Sequence, residues 1–132
     1  MIVVDTSAVI AIAQNEPEMM AFARRIGTAG ASILPSPAYV EASLVLEGRF
    51  GAGGRAVLDS LIQRFARAGM TISPFDAGIA ELARTGFRTF GKGRHPAGLN
   101  FGDCLVYATA KALDAPLLFK GEDFALTDIA RA

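Results

Sequence analysis

One cysteine, one histidine and no tryptophan occur in 132 residues, and the positive and negative charges cancel. Cys104 alone excludes an internal disulfide and any zinc site built from several cysteines. In its apolar surroundings the thiol reads as a small buried hydrophobe and not as a nucleophile. His95 alone leaves serine–histidine or cysteine–histidine catalysis a single candidate base. A net charge of zero and a pI near 6.6 lack the basic footprint of a protein that grips nucleic acid through its overall field, so any such contact is local. No apolar run approaches the roughly 18 residues of a membrane span, and no basic segment precedes the first apolar run. The expectation is a soluble, cytoplasmic protein. Phosphate-cradling glycine motifs are missing too, since GKGRHPAG (91–98) and GAGGR (51–55) have neither required spacing and read as loops.

What is present is an apolar surplus, 52% of residues, enough for the core of one domain spanning 1–132. Ile2-Val3-Val4 predicts a strand, Asp5-Thr6-Ser7 a polar turn, and AVIAIAQ a helix. Asn15-Glu16-Pro17 opens a second helix with Gly27 beyond its end, and Ser32-Ile33-Leu34 is the second strand. Ser36 reads as the N-cap, with Pro37 after it, of a helix reaching about Glu47. Gly51–Gly54 reads as a turn, and Val57, Leu58, Leu61, Ile62 and Phe65 mark an amphipathic helix that Gly69 ends. Met70-Thr71-Ile72 is a third strand, Asp76 caps the next helix, and a last helix follows LNFGDC. Pro116–Phe119 makes a fourth strand. Strands alternating with helices predict an α/β fold, a three-layer α/β/α sandwich around a short, mostly parallel sheet.

The acids fall at the ends of these elements. Asp5 follows strand one, Glu122 and Asp123 follow strand four, Asp103 begins a helix, and Glu41 lies on the helix after strand two. In an open parallel sheet, ligands bind outside the carboxyl ends of the strands, and right-handed crossovers can bring helix-borne acids to the same edge. Each acid also has an ordinary explanation: Asn100 and Asp103 are spaced as a capping pair, Asp5 can cap the next helix, and Asp123 can close a turn after Gly121. Glu41 differs in sitting among Tyr39, Val40, Ala42, Leu44 and Val45, with almost no polar face around it. Clustered carboxylates raise one another's pKa unless a cation neutralises them. An all-oxygen set without His or Cys favours Mg²⁺ or Mn²⁺, ions suited to phosphoryl chemistry.

A local basic feature remains. Arg84, Arg88 and Lys92 recur every fourth residue, and Arg94 and His95 follow before Asp103. A solvated helix face and a track for RNA phosphates both account for it.

MIVVDTSAVIAI, PAYVEASLVL, GRHPAGLNFGDCLVYATAKAL and LLFKGEDFALTDI, in that order, resemble the VapC toxins of type II toxin-antitoxin modules, a branch of the PIN-domain nucleases. The resemblance implies an endoribonuclease whose acidic pocket takes Mg²⁺ or Mn²⁺ and hydrolyses RNA phosphodiesters, with transfer RNA or another structured RNA as substrate. It also implies a cognate VapB antitoxin and a homodimer or toxin–antitoxin hetero-oligomer. Asp5, Glu41 and Asp103 match the family's first three acids. The fourth falls in GEDF, favouring Asp123 over Glu122, with Asp128 more remote. Thr6 and Ser7 match small polar pocket residues. The competing readings are a receiver-like phosphoacceptor, which wants an adjacent acid pair that Asp5-Thr6-Ser7 lacks, a DNA-directed nuclease, and a non-catalytic nucleic-acid-binding PIN-like module.

Overall fold

Ile2–Val4 form β1 and are buried along their whole length, as a strand covered on both faces must be. In the computed structural model, which describes residues 1–132, three more strands join it: β2 (Ser32–Pro35), β3 (Met70–Ser73) and β4 (Leu117–Leu118). All pairings are parallel, in the order β3-β2-β1-β4, with Val3 opposite both Ile33 and Leu117, and Ser32 opposite Met70. The helices are α1 (Thr6–Ala13), α2 (Met19–Thr28), α3 (Ser36–Phe50), α4 (Ala52–Arg67), α5 (Ala77–Phe90) and α6 (Phe101–Ala112), followed by a 3₁₀ turn at Phe124–Leu126. The expected α/β sandwich is the observed one.

Strand order positions the site. The chain steps outward from β1 to β2 and β3, then returns to place β4 on the other side of β1. The winding therefore reverses between β1 and β4, the point in an open parallel sheet outside whose strand carboxyl ends ligands bind. Asp5 leaves β1 there, and Phe119 to Asp123 leave β4 there. The core beneath is one cluster in which Val3, Val4, Val9, Leu34, Leu99, Leu117 and Phe119 are almost entirely enclosed.

Several local expectations need correction. The second helix begins at Met19, because Asn15 takes a left-handed φ of 53° and Glu16–Glu18 form a turn; Gly27 lies inside that helix. Ser36 is the first residue of α3 and not its cap; Pro35 holds the cap position and no side chain caps the end. Gly53 and Gly54 are not turn residues: Gly51, at φ 60°, makes the corner and α4 starts immediately after it. Gly54 is buried against α3, where a Cβ would run into the carbonyl of Leu46, so glycine there permits close approach of two helices. Asp76 does cap α5, its Oδ1 accepting from the Ile79 amide at 2.9 Å.

The C-terminus is tied back to the sheet. The Leu117 amide donates to Ala130, the Ala132 amide donates to Leu117, and Arg131 stacks on the Phe119 ring with its guanidinium carbon 3.9 Å from the centroid. Arg131 also donates to the carbonyls of Phe119 and Gly121, at 3.3 and 3.0 Å. No helix is long and apolar enough to cross a membrane.

Candidate active site

Asp5 is the residue at which β1 becomes α1. Its amide extends the sheet ladder to the Leu118 carbonyl at 2.9 Å, and its carboxylate caps α1, Oδ2 accepting from the Ser7 amide at 3.0 Å and from the Ser7 hydroxyl. Oδ1 takes part in neither bond. The two residues after it fasten the neighbouring elements: Thr6 donates its hydroxyl to the Ala38 carbonyl of α3 at 3.3 Å, and Ser7 Oγ accepts from the Lys120 amide at 2.9 Å. Thr6 thus ties Asp5 to the helix that carries Glu41 three residues on, and Ser7 ties it to the loop that carries Asp123.

Asp103 sits in the first turn of α6 in a reciprocal capping box: its Oδ2 accepts from the Asn100 amide at 3.0 Å and its amide donates to Asn100 Oδ1 at 2.9 Å. Each of these two aspartates spends one oxygen on a helix end and keeps the other. Capping therefore leaves one carboxylate oxygen of each side chain uncommitted.

Glu41 is exposed on α3, between Val40 and Leu44, which are 55% and 68% exposed. It reaches α6 at Gly102, where an added Cβ would collide with its Oε2. Asp123 is exposed at the start of the 3₁₀ turn and caps nothing with its side chain. Glu122 is exposed beside it. Asp128 is committed elsewhere, accepting from the Tyr107 hydroxyl at 2.9 Å and from Lys111 Nζ at 3.0 Å.

Electrostatics shows which acids converge. Asp103 is pushed up to about 6, first by burial and then by the charges of Asp5, Asp123 and Glu41, against the opposing Asn100 amide bond. Asp5 is likewise held above the ordinary carboxylate range, by burial and by the charge of Glu41, while its bonds from Ser7 pull the other way. Of the acids after β4, Asp123 is the one named among the charges that raise Asp103. The nearest cation in sequence, Lys120, is engaged by Glu16 at 2.6 Å and Glu18 at 3.2 Å. No three acids, histidines or cysteines stand close enough together to hold a metal ion between them.

The basic residues are arranged differently from an uninterrupted stripe. Arg84 and Arg88 do share a face of α5, but that helix ends at Phe90, so Lys92 lies in the loop beyond. Arg84 is paired with Glu81 at 3.0 Å, and both arginines border an apolar groove of about 680 Å³ lined by Phe75, Phe87, Phe101 and Leu105. Arg94 lies over the Phe87 ring at 5.2 Å. His95 is half-buried rather than a free surface residue: its Nδ1 accepts from the Ala97 amide at 3.0 Å and its ring packs edge-on to Phe90. Lys120 meets Glu16 and Ser7 across 104 and 113 residues, and no local pattern announces such a contact.

The PIN domain family model matches residues 2–130. Among characterised relatives, ribonuclease VapC30 of Mycobacterium tuberculosis is 44% identical over 128 residues, covering 97% of this chain and 95% of that protein. Ribonuclease VapC of Mycolicibacterium smegmatis is 43% identical over 128 residues, covering 97% of each. Among solved structures, the fold matches Mycobacterium tuberculosis VapC20, described as a sarcin-ricin loop cleaving toxin, with a TM-score of 0.78 and 16% identity over 100% of this chain and 98% of that one. It also matches VapBC2 of Rickettsia felis bound to a promoter DNA fragment, with a TM-score of 0.75 and 17% identity over 100% and 98% of the two chains. A receiver-like phosphoacceptor is thereby set aside, and with the match spanning nearly every residue, the chain belongs to the PIN-domain family, in its VapC-type toxin branch.

Proposed function

We propose that this protein is a metal-dependent endoribonuclease toxin that hydrolyses RNA phosphodiester bonds. The observation that carries the reading is that the charges of Asp5, Asp123 and Glu41 all act on Asp103 at the head of α6, which together with burial lifts it to about 6. Such a cluster costs folding energy and is retained where a cation completes it. The relatives named as ribonucleases support the same reading.

Asp5 and Asp103 would hold Mg²⁺ or Mn²⁺ directly and Glu41 and Asp123 through water, and the bound ion would supply an attacking water at neutral pH and screening for the phosphate. The chain's own residues do the placing. Ser7 fixes the Asp5 carboxylate by two bonds to one oxygen, the Asn100 box fixes Asp103, and Thr6 holds α3 so that Glu41 faces Gly102. With water as nucleophile the RNA 2′-hydroxyl is not consumed, so the products carry a 5′-phosphate and a 3′-hydroxyl. The test is cleavage of total RNA and of transfer RNA with Mg²⁺, with Mn²⁺ and with chelator, followed by end-group analysis. Cleavage that persists in chelator, or 2′,3′-cyclic phosphate ends, overturns the mechanism. Matched RNA and DNA oligonucleotides separate it from a DNA-directed nuclease.

The substrate in this reading is a structured RNA, transfer RNA first among those to assay, and Arg84, Arg88, Lys92, Arg94 and His95 are its candidate contacts. The partner is a VapB-type antitoxin, as in the Rickettsia complex, and an arginine from it would satisfy the acidic pocket in place of the metal. A homodimer in the cytoplasm belongs to the same reading. Val40, Leu44 and Phe101, each more than half exposed, supply apolar surface for it.

Gly102→Ala separates the site from the scaffold. The new methyl collides only with the flexible end of an exposed Glu41, with Asn100 Oδ1 at an ordinary contact distance of 3.6 Å, and alanine favours the helix by up to about 1 kcal/mol, so melting stays level or rises slightly. RNA cleavage falls at least tenfold because the Glu41 carboxylate is displaced. Full activity in this variant would remove Glu41 from the pocket.

A further inference from the structure

We propose that Lys120 is a positioning residue: held between Glu16 and Glu18, it clamps the loop carrying Asp123 onto the turn between α1 and α2, and so sets where Asp123 stands relative to Asp5 and Asp103. The kinetic part of this inference rests on the ribonuclease reading; the structural part does not.

Lys120 stands just past β4 and three residues before Asp123. Two bonds of different kinds leave it. Its Nζ lies 2.6 Å from Glu16 Oε1 and 3.2 Å from Glu18 Oε2, while its amide donates to Ser7 Oγ, the same hydroxyl that donates to Asp5 Oδ2. One residue therefore links the α1–α2 turn, the group that orients Asp5, and the loop that presents Asp123.

The anchor is firm. The Glu16 amide donates to Ala11 and its carbonyl accepts from Met19, both at 2.9 Å, so Glu16 is fixed on both sides of the turn. On the loop side, Arg131 holds the carbonyls of Phe119 and Gly121, and Gly121 at φ 95° makes the bend that only glycine accepts without strain. Lys120 lies between the two carbonyls that Arg131 holds, and its side chain is the contact that carries this loop to the α1–α2 turn.

Stability alone does not account for the arrangement. The three side chains are 38%, 27% and 37% exposed, and ion pairs that open to solvent contribute about 1 kcal/mol or less. Position is another matter, because shifting a reacting group by an ångström costs up to about a hundredfold in rate. A contact of small energetic worth that spans 104 residues and ends beside an acid of the pocket acts on placement.

The experiment compares wild type, Lys120→Met, Lys120→Arg, the Glu16→Gln/Glu18→Gln double variant and the triple combination with Lys120→Met, alongside Asp103→Asn. Steady-state cleavage of RNA is measured together with amide hydrogen exchange over residues 119–125. Lys120→Met is expected to lower kcat by about tenfold or more with KM within about twofold, and to speed exchange of the loop amides. The glutamine pair does the same, the triple variant is no worse than either, and Lys120→Arg recovers both readouts. Melting of the metal-free protein moves by only about 3 °C, as befits an exposed pair. The proposal is overturned by unchanged exchange, by a normal kcat in Lys120→Met, or by a loss confined to KM, which would make Lys120 an RNA contact. If wild type itself cleaves nothing, the ribonuclease reading has failed, and the exchange data alone decide whether the clamp exists.

Discussion

Asp103→Asn is expected to abolish metal-dependent RNA cleavage, by about a thousandfold in kcat, while making the metal-free protein more stable at neutral pH. The two effects have one cause. Asparagine keeps the shape of the side chain and an oxygen to accept the Asn100 amide, so the capping box survives. What disappears is a charge that burial and three neighbouring acids disfavour.

The sign of the pH dependence follows. The carboxyl titrates near its ordinary 3.8 when unfolded and at about 6 when folded, so the folded chain binds the proton more tightly. Its contribution to stability is fully present below 3.8 and is lost as pH rises through about 6; Asp5, also raised, adds in the same direction. Asp103 and Asp5 therefore draw stability down between pH 4 and 7, against Glu18, Glu47 and Asp128, which are lowered and act the other way at the acid end; Asp103→Asn removes Asp103's share, about 2 kcal/mol after allowance for partial exposure. Adding Mg²⁺ or Mn²⁺ should restore wild type by mass action and leave the variant nearly unmoved. Melting curves of both proteins at pH 5 and 7, with and without metal, check all of this. A variant that cleaves RNA like wild type would reduce Asp103 to a helix cap.

The largest loss of stability is expected from Gly54→Ala. Alanine is worth up to about 1 kcal/mol over glycine in a helix interior, and the neighbouring Gly53, with open space where its Cβ would be, should show that gain. At Gly54 the methyl runs into backbone, the Leu46 carbonyl of α3, which cannot swing aside as a side chain can. Forcing the helices apart costs about 1–3 kcal/mol beyond the propensity gain, a fall in Tm of roughly 4–12 °C for a chain of this size. Thermal denaturation of the two single variants gives opposite signs if α3 and α4 meet as described. Equal stabilities would mean that they do not.

Much of this molecule was legible from the sequence because its signals are local. Three β-branched residues before Asp-Thr-Ser, the Asn100–Asp103 spacing and the run of apolar positions in α4 depend on propensities and periods that act within a few residues. The placing of acids at element ends was equally visible. The misreadings were also local in kind: Gly51–Gly54 looked like a turn because glycine usually breaks helices, and only the proximity of α3 explains why Gly54 stays inside one. Ser36 looked like a cap because its composition fits, yet the chain turns one residue earlier, at Pro35.

The sequence by itself determined the alternation of strands and helices and the family, and it placed the candidate acids at the ends of those elements. Tertiary structure decided what no short window contains: that β4 pairs beside β1, that Asp128 is held by Tyr107 and Lys111, and that Lys120 meets Glu16 across 104 residues. The physical reason is the range of the forces involved. Propensity and capping act along the chain, whereas desolvation, charge coupling and close packing act through space, between residues whose nearness only the completed fold creates.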